Sequence, residues 1–302
     1  MKGKYKLEKT IKSNSPMRNI CTLLPLNDGR IALGKYEELA IYDLKTHRED
    51  TIVTNVGIEY LYQFKDNKLY YYSNYYSHYR FFPTFILIEL TDNNKYIDKT
   101  VLLPKNIKAI LIKEYKNKVM FSLLNEPSID TYIKINEKYQ LVSRFKTKYI
   151  NFIILGGGSM AISNEFVLRV YDINSLKKKK KNYRSNKGIK TITFFSKNFL
   201  LIASKDELIV YDYKNFNIVN SITTGYNIFK IISIKDKVLI AESDKKNKKS
   251  RFTTYKINIK DKFNIKRMSV NDNPHNADIF KIIQCQDGTI ITHFNEFMKI
   301  WK

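Results

Sequence analysis

Proline, glycine and cysteine are scarce in this chain. Its 302 residues include 6 Pro, 10 Gly and 2 Cys. So few chain breakers exclude a linker-rich or low-complexity protein. Cys21 and Cys285 show no metal-ligand spacing, so both read as buried, reduced thiols, which suits a reducing compartment. Long apolar runs are missing as well. The longest, such as NFIILGGGSMAI, fall short of the roughly 20 residues that a helical membrane span needs. The opening MKGKYKLEKTIKS has no apolar core of the kind a secretory signal carries. The expected location is the cytoplasm, with the nucleus as the alternative. Helical periodicity is absent from every window of about 12 residues. Histidine is rare: His47, His78, His275 and His293, none near another His or a Cys at ligand spacing. No metal site, cofactor or catalytic residue is expected. Gly156–Ser159 (GGGS) lacks the Lys-Ser/Thr of a phosphate loop and reads as a tight turn. No G-x-S-x-G elbow and no paired catalytic carboxylates stand out, so the chain reads as a non-enzyme.

What is abundant is positive charge and β-forming residues. There are 53 Lys+Arg against 29 Asp+Glu, a formal net charge of +24, with 14% aromatics and 43% hydrophobic residues. That composition is globular. The charge favours an acidic partner: nucleic acid, anionic lipid or an acidic protein surface. Only nine of the basic residues are Arg. Nucleic-acid readers lean on the planar Arg fork, and a Lys excess beside abundant Asn, Ile, Tyr and Phe is also what an AT-rich coding sequence produces.

The chain repeats a phrase. EELAIYDLKT (Glu37–Thr46), NEFVLRVYDINS (Asn164–Ser175), DELIVYDYKN (Asp206–Asn215) and NEFMKIWK (Asn295–Lys302) are variants of it. Tyr42, Ile88, Ile133, Tyr171, Tyr211, Tyr255 and Trp301 mark one position in seven units, at intervals of 38 to 46 residues. A second series of polar turns interleaves with the first. It runs Asn27–Gly29, Lys65–Lys68, Lys116–Lys118, Gly156–Ser159, Ser196–Asn198, Lys235–Lys237 and Gln286–Gly288. Runs rich in Ile, Val, Tyr, Phe and Thr flank each turn, such as KTITFF and FLLIAS, and read as strands. A unit of about 43 residues with four strands is the signature of a propeller blade. The expectation is an all-β, seven-bladed β-propeller of four-stranded antiparallel blades in a single domain, 1–302. The blades span about 18–54, 57–103, 107–146, 148–186, 189–224, 226–270 and 275–302. The last unit stops after its third strand, whereas KYKLEKTIK precedes the first unit. Residues 1–12, with Tyr5, Leu7 and Ile11 on one side, are therefore expected to close the ring by pairing with the last blade.

HNADIFKIIQCQDGTIITHFNEFMKIWK (His275–Lys302) and LPLNDGRIALGKYEELAIYDL (Leu24–Leu44) resemble WD-repeats. Tyr42-Asp43, Tyr171-Asp172 and Tyr211-Asp212 stand where that family has Trp-Asp. The resemblance implies a protein-interaction platform. It also implies a buried network that only the seventh unit is equipped to build, from His275, Trp301 and Thr292. The other blades are expected to rely on apolar packing.

Two stretches are candidates for contact with partners. YYYSNYYSHYRFF ends in an expected hairpin with Tyr75, Tyr76, His78, Tyr79, Arg80 and Phe81, residue types that anchor interfaces or stack bases. The run Lys177, Lys178, Lys179, Lys180, Lys181 with Arg184 reads as an exposed loop after a blade's third strand and as a polyanion site. The turns of the second series are basic, whereas several hairpins between second and third strands carry acids, including Glu37, Glu38, Asp130, Glu165, Asp206 and Glu207. The basic insertion Ser243–Arg251 is an exception. The favoured reading is a non-catalytic WD-repeat-like scaffold for protein–protein interaction. It is expected to be a monomer or a subunit of a hetero-complex whose partners are other proteins, some with acidic surfaces. The alternative is a propeller that binds RNA, DNA or acidic lipid through a Lys-rich face.

Overall fold

A computed structural model describes residues 5–12, 20–54, 57–65, 67–77, 80–90, 96–100, 109–123, 128–135, 138–146, 151–175, 177–244, 249–260, 263–273, 281–294 and 297–302. These residues form strands and turns. No helix among them is long and apolar enough to cross a membrane.

Strand β1 (Leu7–Lys12) comes first. The first sheet is β2 (Ile20–Pro25), β3 (Ile31–Lys35), β4 (Glu38–Tyr42) and β5 (Glu49–Thr54). The second is β6 (Ile58–Gln63), β7 (Leu69–Ser77), β8 (Arg80–Leu90) and β9 (Tyr96–Thr100). The third is β10 (Ala109–Tyr115), β11 (Lys118–Leu123), β12 (Ser128–Ile135) and β13 (Lys138–Lys146). The fourth is β14 (Asn151–Leu155), β15 (Ser159–Ser163), β16 (Val167–Asp172) and β17 (Lys178–Arg184). The fifth is β18 (Thr191–Ser196), β19 (Phe199–Ser204), β20 (Glu207–Asp212) and β21 (Asn217–Thr223). The sixth is β22 (Asn227–Ile234), β23 (Lys237–Asp244), β24 (Lys249–Asn258) and β25 (Asn264–Asn273). The seventh joins β26 (Lys281–Gln284), β27 (Ile290–Phe294) and β28 (Phe297–Trp301) to β1, in the order β1-β28-β27-β26. The divergent second, third and sixth repeats therefore keep all four strands. The sixth runs past the expected boundary near residue 270, because the β24–β25 ladder continues to Ser250↔Asn273.

The chain divides into two compact units. The first holds Leu7–Thr147 and Ile283–Lys302; the second holds Met1–Lys6 and Lys148–Ile282, so the boundary falls inside β26.

In β3, β4, β15, β19 and β20 the middle strands are buried on both faces almost throughout. In β3, Ile31 and Leu33 pack with Ile291 and Met298 of the seventh sheet, while Ala32 packs with Ile58 and Tyr71 of the second. In β19, Leu200 and Ile202 face the fourth sheet, and Leu201 and Ala203 face the sixth. Successive side chains on a strand point to opposite faces, so a residue there must be apolar, small or paired. The recurring tyrosine has a fixed task. Tyr42, Tyr211 and Tyr255 pack back on the preceding sheet, and burial pushes each phenol up to about 12. Fully burying one such side chain contributes roughly 1.5–3 kcal/mol.

The aspartate of the phrase shapes the turn that follows. Asp43 Oδ1 accepts the backbone N–H groups of Lys45 and Thr46, at 2.7 and 3.0 Å. Asp172 does the same for Asn174 and Ser175, and Asp212 for Lys214 and Asn215. The amides of Thr46 and Lys45 hold the Asp43 carboxyl below its usual range. The next residue turns inward: Leu44, Ile173 and Tyr213 are all buried. The DG-type turns share one geometry. In the first, second and seventh sheets, Leu26, Phe64 and Cys285 each donate N–H to a carbonyl four residues on. Gly29, Asn67 and Gly288 supply the positive φ those turns require.

Buried carboxylates are held in polar pairs inside several sheets, which corrects the expectation of purely apolar packing outside the seventh. In the third sheet Arg144 Nε and Nη2 donate to the two oxygens of Asp130 at 2.9 and 2.8 Å. Asp130 has no exposed surface, and Ser128 also reaches it. In the sixth, Arg251 Nε and the Thr253 hydroxyl donate to Glu242 Oε2 at 2.9 and 2.7 Å, and the guanidinium lies 3.5 Å from the centroid of the Tyr226 ring. In the first, Lys35 bridges Glu38 and Glu49. The seventh sheet holds the expected Trp301 Nε1–Thr292 Oγ1 bond, at 2.9 Å, while His275 lies outside the described residues. His293 is buried on β27. Lys299 is buried too, with its ammonium 5.7 Å from the Trp301 ring centroid and pushed down to about 8 by burial.

One of the two cysteines departs from expectation. Neither forms a disulfide; Cys285 is buried as expected, but Cys21 is exposed. A register shift between Ile20 and Thr22 makes Cys21 a bulge residue and throws it outward. Burial, with Asp287 nearby, pushes the Cys285 thiol up to about 12.

β1 pairs antiparallel with β28, from Leu7↔Trp301 to Lys12↔Phe297. Ile11 packs on the shared core, whereas a bulge after Leu7 leaves that residue 39% exposed. Tyr5 belongs to the second unit, where its carbonyl accepts from Asn271 Nδ2 at 2.5 Å and its ring meets Phe252.

Two outcomes follow from this packing. Removal of residues 1–12 opens the β28 edge, and an aggregating or unfolded product is expected by size-exclusion chromatography with light scattering; a soluble, folded monomer would contradict the closure. Arg144→Met strands a buried carboxylate and is expected to cost about 3–5 kcal/mol in urea unfolding. A cost below about 1 kcal/mol, the level of a surface pair, would count against the buried pair.

Candidate functional site

The second sheet carries a feature that the other sheets lack among the described residues. The ladder between β7 and β8 runs from Leu69↔Ile88 to Ser77↔Arg80. Among the described residues, β6 pairs β7 as far as Ser73, and β9 pairs β8 as far as Ile86. Among the described residues, 74–77 and 80–83 therefore pair only with each other, as a two-stranded arm at the end of the ladder. In the first and third to sixth sheets, the first strand reaches within one residue of the end of the second. Four extra residues extend the arm by about 13 Å at the rise of a strand.

The arm collects the aromatic residues singled out above. Tyr76 stands opposite Phe81 on one face, while Tyr75, opposite Phe82, shares the other face with Arg80. Their side chains, and His78 and Tyr79 altogether, lie outside the described residues. The aromatic run signals the hairpin. Where β6 stops pairing with it leaves no mark in the sequence.

The lysine run is placed differently from the expected loop. Lys178–Arg184 is β17, the outer strand of the fourth sheet, paired with β16 from Val167↔Arg184 to Tyr171↔Lys178. The turn before it is the short one held by Asp172, so pairing resumes at once. Lys177, Lys178 and Arg184 are exposed. The side chains of Lys179, Lys180 and Lys181 lie outside the described residues. An outer strand has an unpaired edge, and lysines there discourage edge-to-edge association.

The expected charge bias is partly present. Lys65, Lys116, Lys197, Lys235 and Lys237 are exposed at the turns between first and second strands. On the acidic side, Glu37 and Glu165 are exposed, but Glu38 and Asp130 are buried in the ion pairs described above. Asp206 and Glu207 are only partly exposed and face Lys187.

A cleft of about 340 Å³ lies on the first sheet, with Asp28, Asp43, Asp50, Arg30 and Arg48 in its wall. Burial alone would raise the Asp28 carboxyl, but its bonds from Arg30, at 2.6 to 2.9 Å, hold it below the usual range. Asp43 is committed to its own turn. Asp28, Arg30 and Asp43 thus serve the local fold. Gly156–Ser159 forms a turn, with Gly157 and Gly158 at positive φ, and the phosphate-loop reading falls. Among the described residues no group of three or more His, Cys, Asp and Glu is gathered for a metal ion.

No protein-family model and no curated protein matches the chain. Solved structures do. A chain of the mitotic checkpoint complex aligns with a TM-score of 0.76 at 10% identity, over 98% of this chain and 94% of that one. The WD40 repeats of RRP9 align at 0.72 and 8% identity, over 99% of each chain. The chain has the fold of a WD-repeat β-propeller. Streptogramin B lyase aligns at 0.69 and 12% identity, over 99% of this chain and 97% of that one. This propeller fold therefore occurs in a subunit of a complex and in an enzyme, and function must be argued from its own features.

Proposed function

We propose that this propeller is a non-catalytic, WD-repeat-like scaffold that binds another protein through the aromatic arm of its second blade. In this reading the seven sheets are seven blades of one domain. The observation that carries it is the arm: among the described residues, the stretches that hold Tyr75, Tyr76, Arg80 and Phe81 pair only with each other. Such an arm offers a partner two faces. Tyr and Arg bring large contact area with few rotatable bonds and a planar donor fork, the chemistry of interface anchors. A partner with an acidic rim suits Arg80 and the basic turns. Similarity to WD-repeat propellers, one of them within a checkpoint complex, favours a scaffold over an enzyme.

A second reading rests on β17. Lys177, Lys178 and Arg184 are exposed beside Lys179–Lys181, and a polyanion would be drawn to that strand. Each phosphate neutralised on duplex DNA would steepen the salt dependence by about 0.9 log unit per log unit of salt.

The test compares three full-length proteins: the wild type, a variant with Tyr75, Tyr76, Arg80 and Phe81 changed to Ser, and a variant with Lys177–Lys181 changed to Gln. Partners are captured by cross-linking in cell extract and counted by quantitative mass spectrometry, with nucleic acid measured alongside. The arm variant is expected to lose a protein partner that the Gln variant keeps. An unchanged protein set in the arm variant, with nucleic acid lost from the Gln variant, would replace the scaffold reading with the polyanion one.

A further inference from the structure

The face of the first sheet that packs on the second changes character toward one end. Ala32, Leu39 and Ile41 are apolar and sit in the core shared with Ile58 and Tyr71. Ile31 pairs with Tyr42, and one step beyond that pair Arg30 stands across from Asp43. The Asp43 N–H donates to the Arg48 carbonyl at 2.9 Å, and Ile41 pairs with Asp50. Side chains alternate along a strand, so Arg30, Asp43, Arg48 and Asp50 share the face of Ile41. The cleft of about 340 Å³ lies there, and Asp28 and Thr46 complete its wall.

Some groups in this wall are used and others are open. Asp28 accepts from both the backbone and the guanidinium of Arg30. Asp43 gives only Oδ1 to its turn. Among the described residues, no hydrogen bond or ion pair engages Asp43 Oδ2, the Thr46 hydroxyl or the Arg48 guanidinium. At the matching place on the fifth sheet, Asp212 Oδ2 is taken by Asn215 Nδ2 at 2.8 Å. The cleft thus offers an open carboxylate oxygen, an open guanidinium and a hydroxyl beside the buried Ile41. A guanidinium fork takes a carboxylate with two parallel bonds, and a carboxylate oxygen takes an ammonium. A simple anion would meet Asp43 and Asp50, and a simple cation would meet Arg48. A molecule that carries both charges avoids both mismatches. The volume stands at the low end of ligand pockets, roughly 300–1,000 Å³, which suits a small molecule.

We propose that this cleft binds a free α-amino acid, with its carboxylate on Arg48, its ammonium on Asp43 Oδ2 and its side chain beside Ile41. The site is built from two turns of the first sheet, so it is separate from the aromatic arm of the second sheet and from the exposed lysines of β17. It does not rest on the scaffold reading.

The test screens the full chain against the proteinogenic L-amino acids by isothermal titration calorimetry. The strongest binder is then measured beside its amide and its N-acetyl form. Saturable, single-site binding of at least one amino acid is expected. Blocking either charge of the ligand is expected to weaken binding by at least about tenfold, the loss of one hydrogen bond to a charged group. Arg48→Met and Asp43→Asn should each weaken the free amino acid by a similar factor. Asparagine keeps an Oδ1 acceptor for the Lys45 and Thr46 amides, so the second variant removes the charge and leaves the turn held. Lys45→Met, on the same turn but outside the cleft wall, is the control and should bind as the wild type does. The proposal is overturned if no amino acid binds, or if either blocked form binds as tightly as the free one. It is also overturned if Arg48→Met or Asp43→Asn keeps wild-type affinity, or if Lys45→Met loses as much as they do, which would mark general attraction to a charged turn.

Discussion

Middle strands such as β3 and β19 have almost no face for water. In β3 and β19, consecutive residues belong to different cores, each shared with a different neighbouring sheet. A lone four-stranded sheet with such strands would expose two greasy faces. Sheets must therefore stack, and the rest of the architecture serves that requirement. The tyrosine that recurs near the end of the third strand packs back on the preceding sheet. The aspartate beside it folds the following turn tightly, so that the outer strand begins without a long loop. β1 gives the seventh sheet the fourth strand that its own repeat lacks.

Much of this was legible in the sequence, because it repeats. Seven tyrosine-like positions and seven polar turns alternate, and each falls where a third strand or a tight turn lies. β1 was legible for the same reason: a spare strand at one end answers a missing strand at the other. What failed to show was whatever depends on neighbours in space. Glu38 and Asp130 look like surface acids in a polar hairpin, yet Lys35 and Arg144 reach them from elsewhere in the sheet and allow both to be buried. Cys21 has the composition of a core residue, but a bulge turns it out. Five consecutive lysines read as a solvated loop. An outer strand satisfies the same electrostatics, because its free edge faces water.

The candidate contact sites follow the same division. The aromatic content of residues 70–82 announces a surface of unusual chemistry. How far the hairpin runs past the pairing of β6 is recorded by no local pattern.

The claim that matters most is that no sheet is stable without its neighbours, and native-state amide hydrogen exchange tests it directly. In the second unit, the amides of β15, β19 and β23 should exchange with one common opening free energy, above that of the outer strands β17 and β21. If β19 opened at a distinctly lower free energy than β15 and β23, its sheet would be unfolding alone. The stacking account would then be wrong.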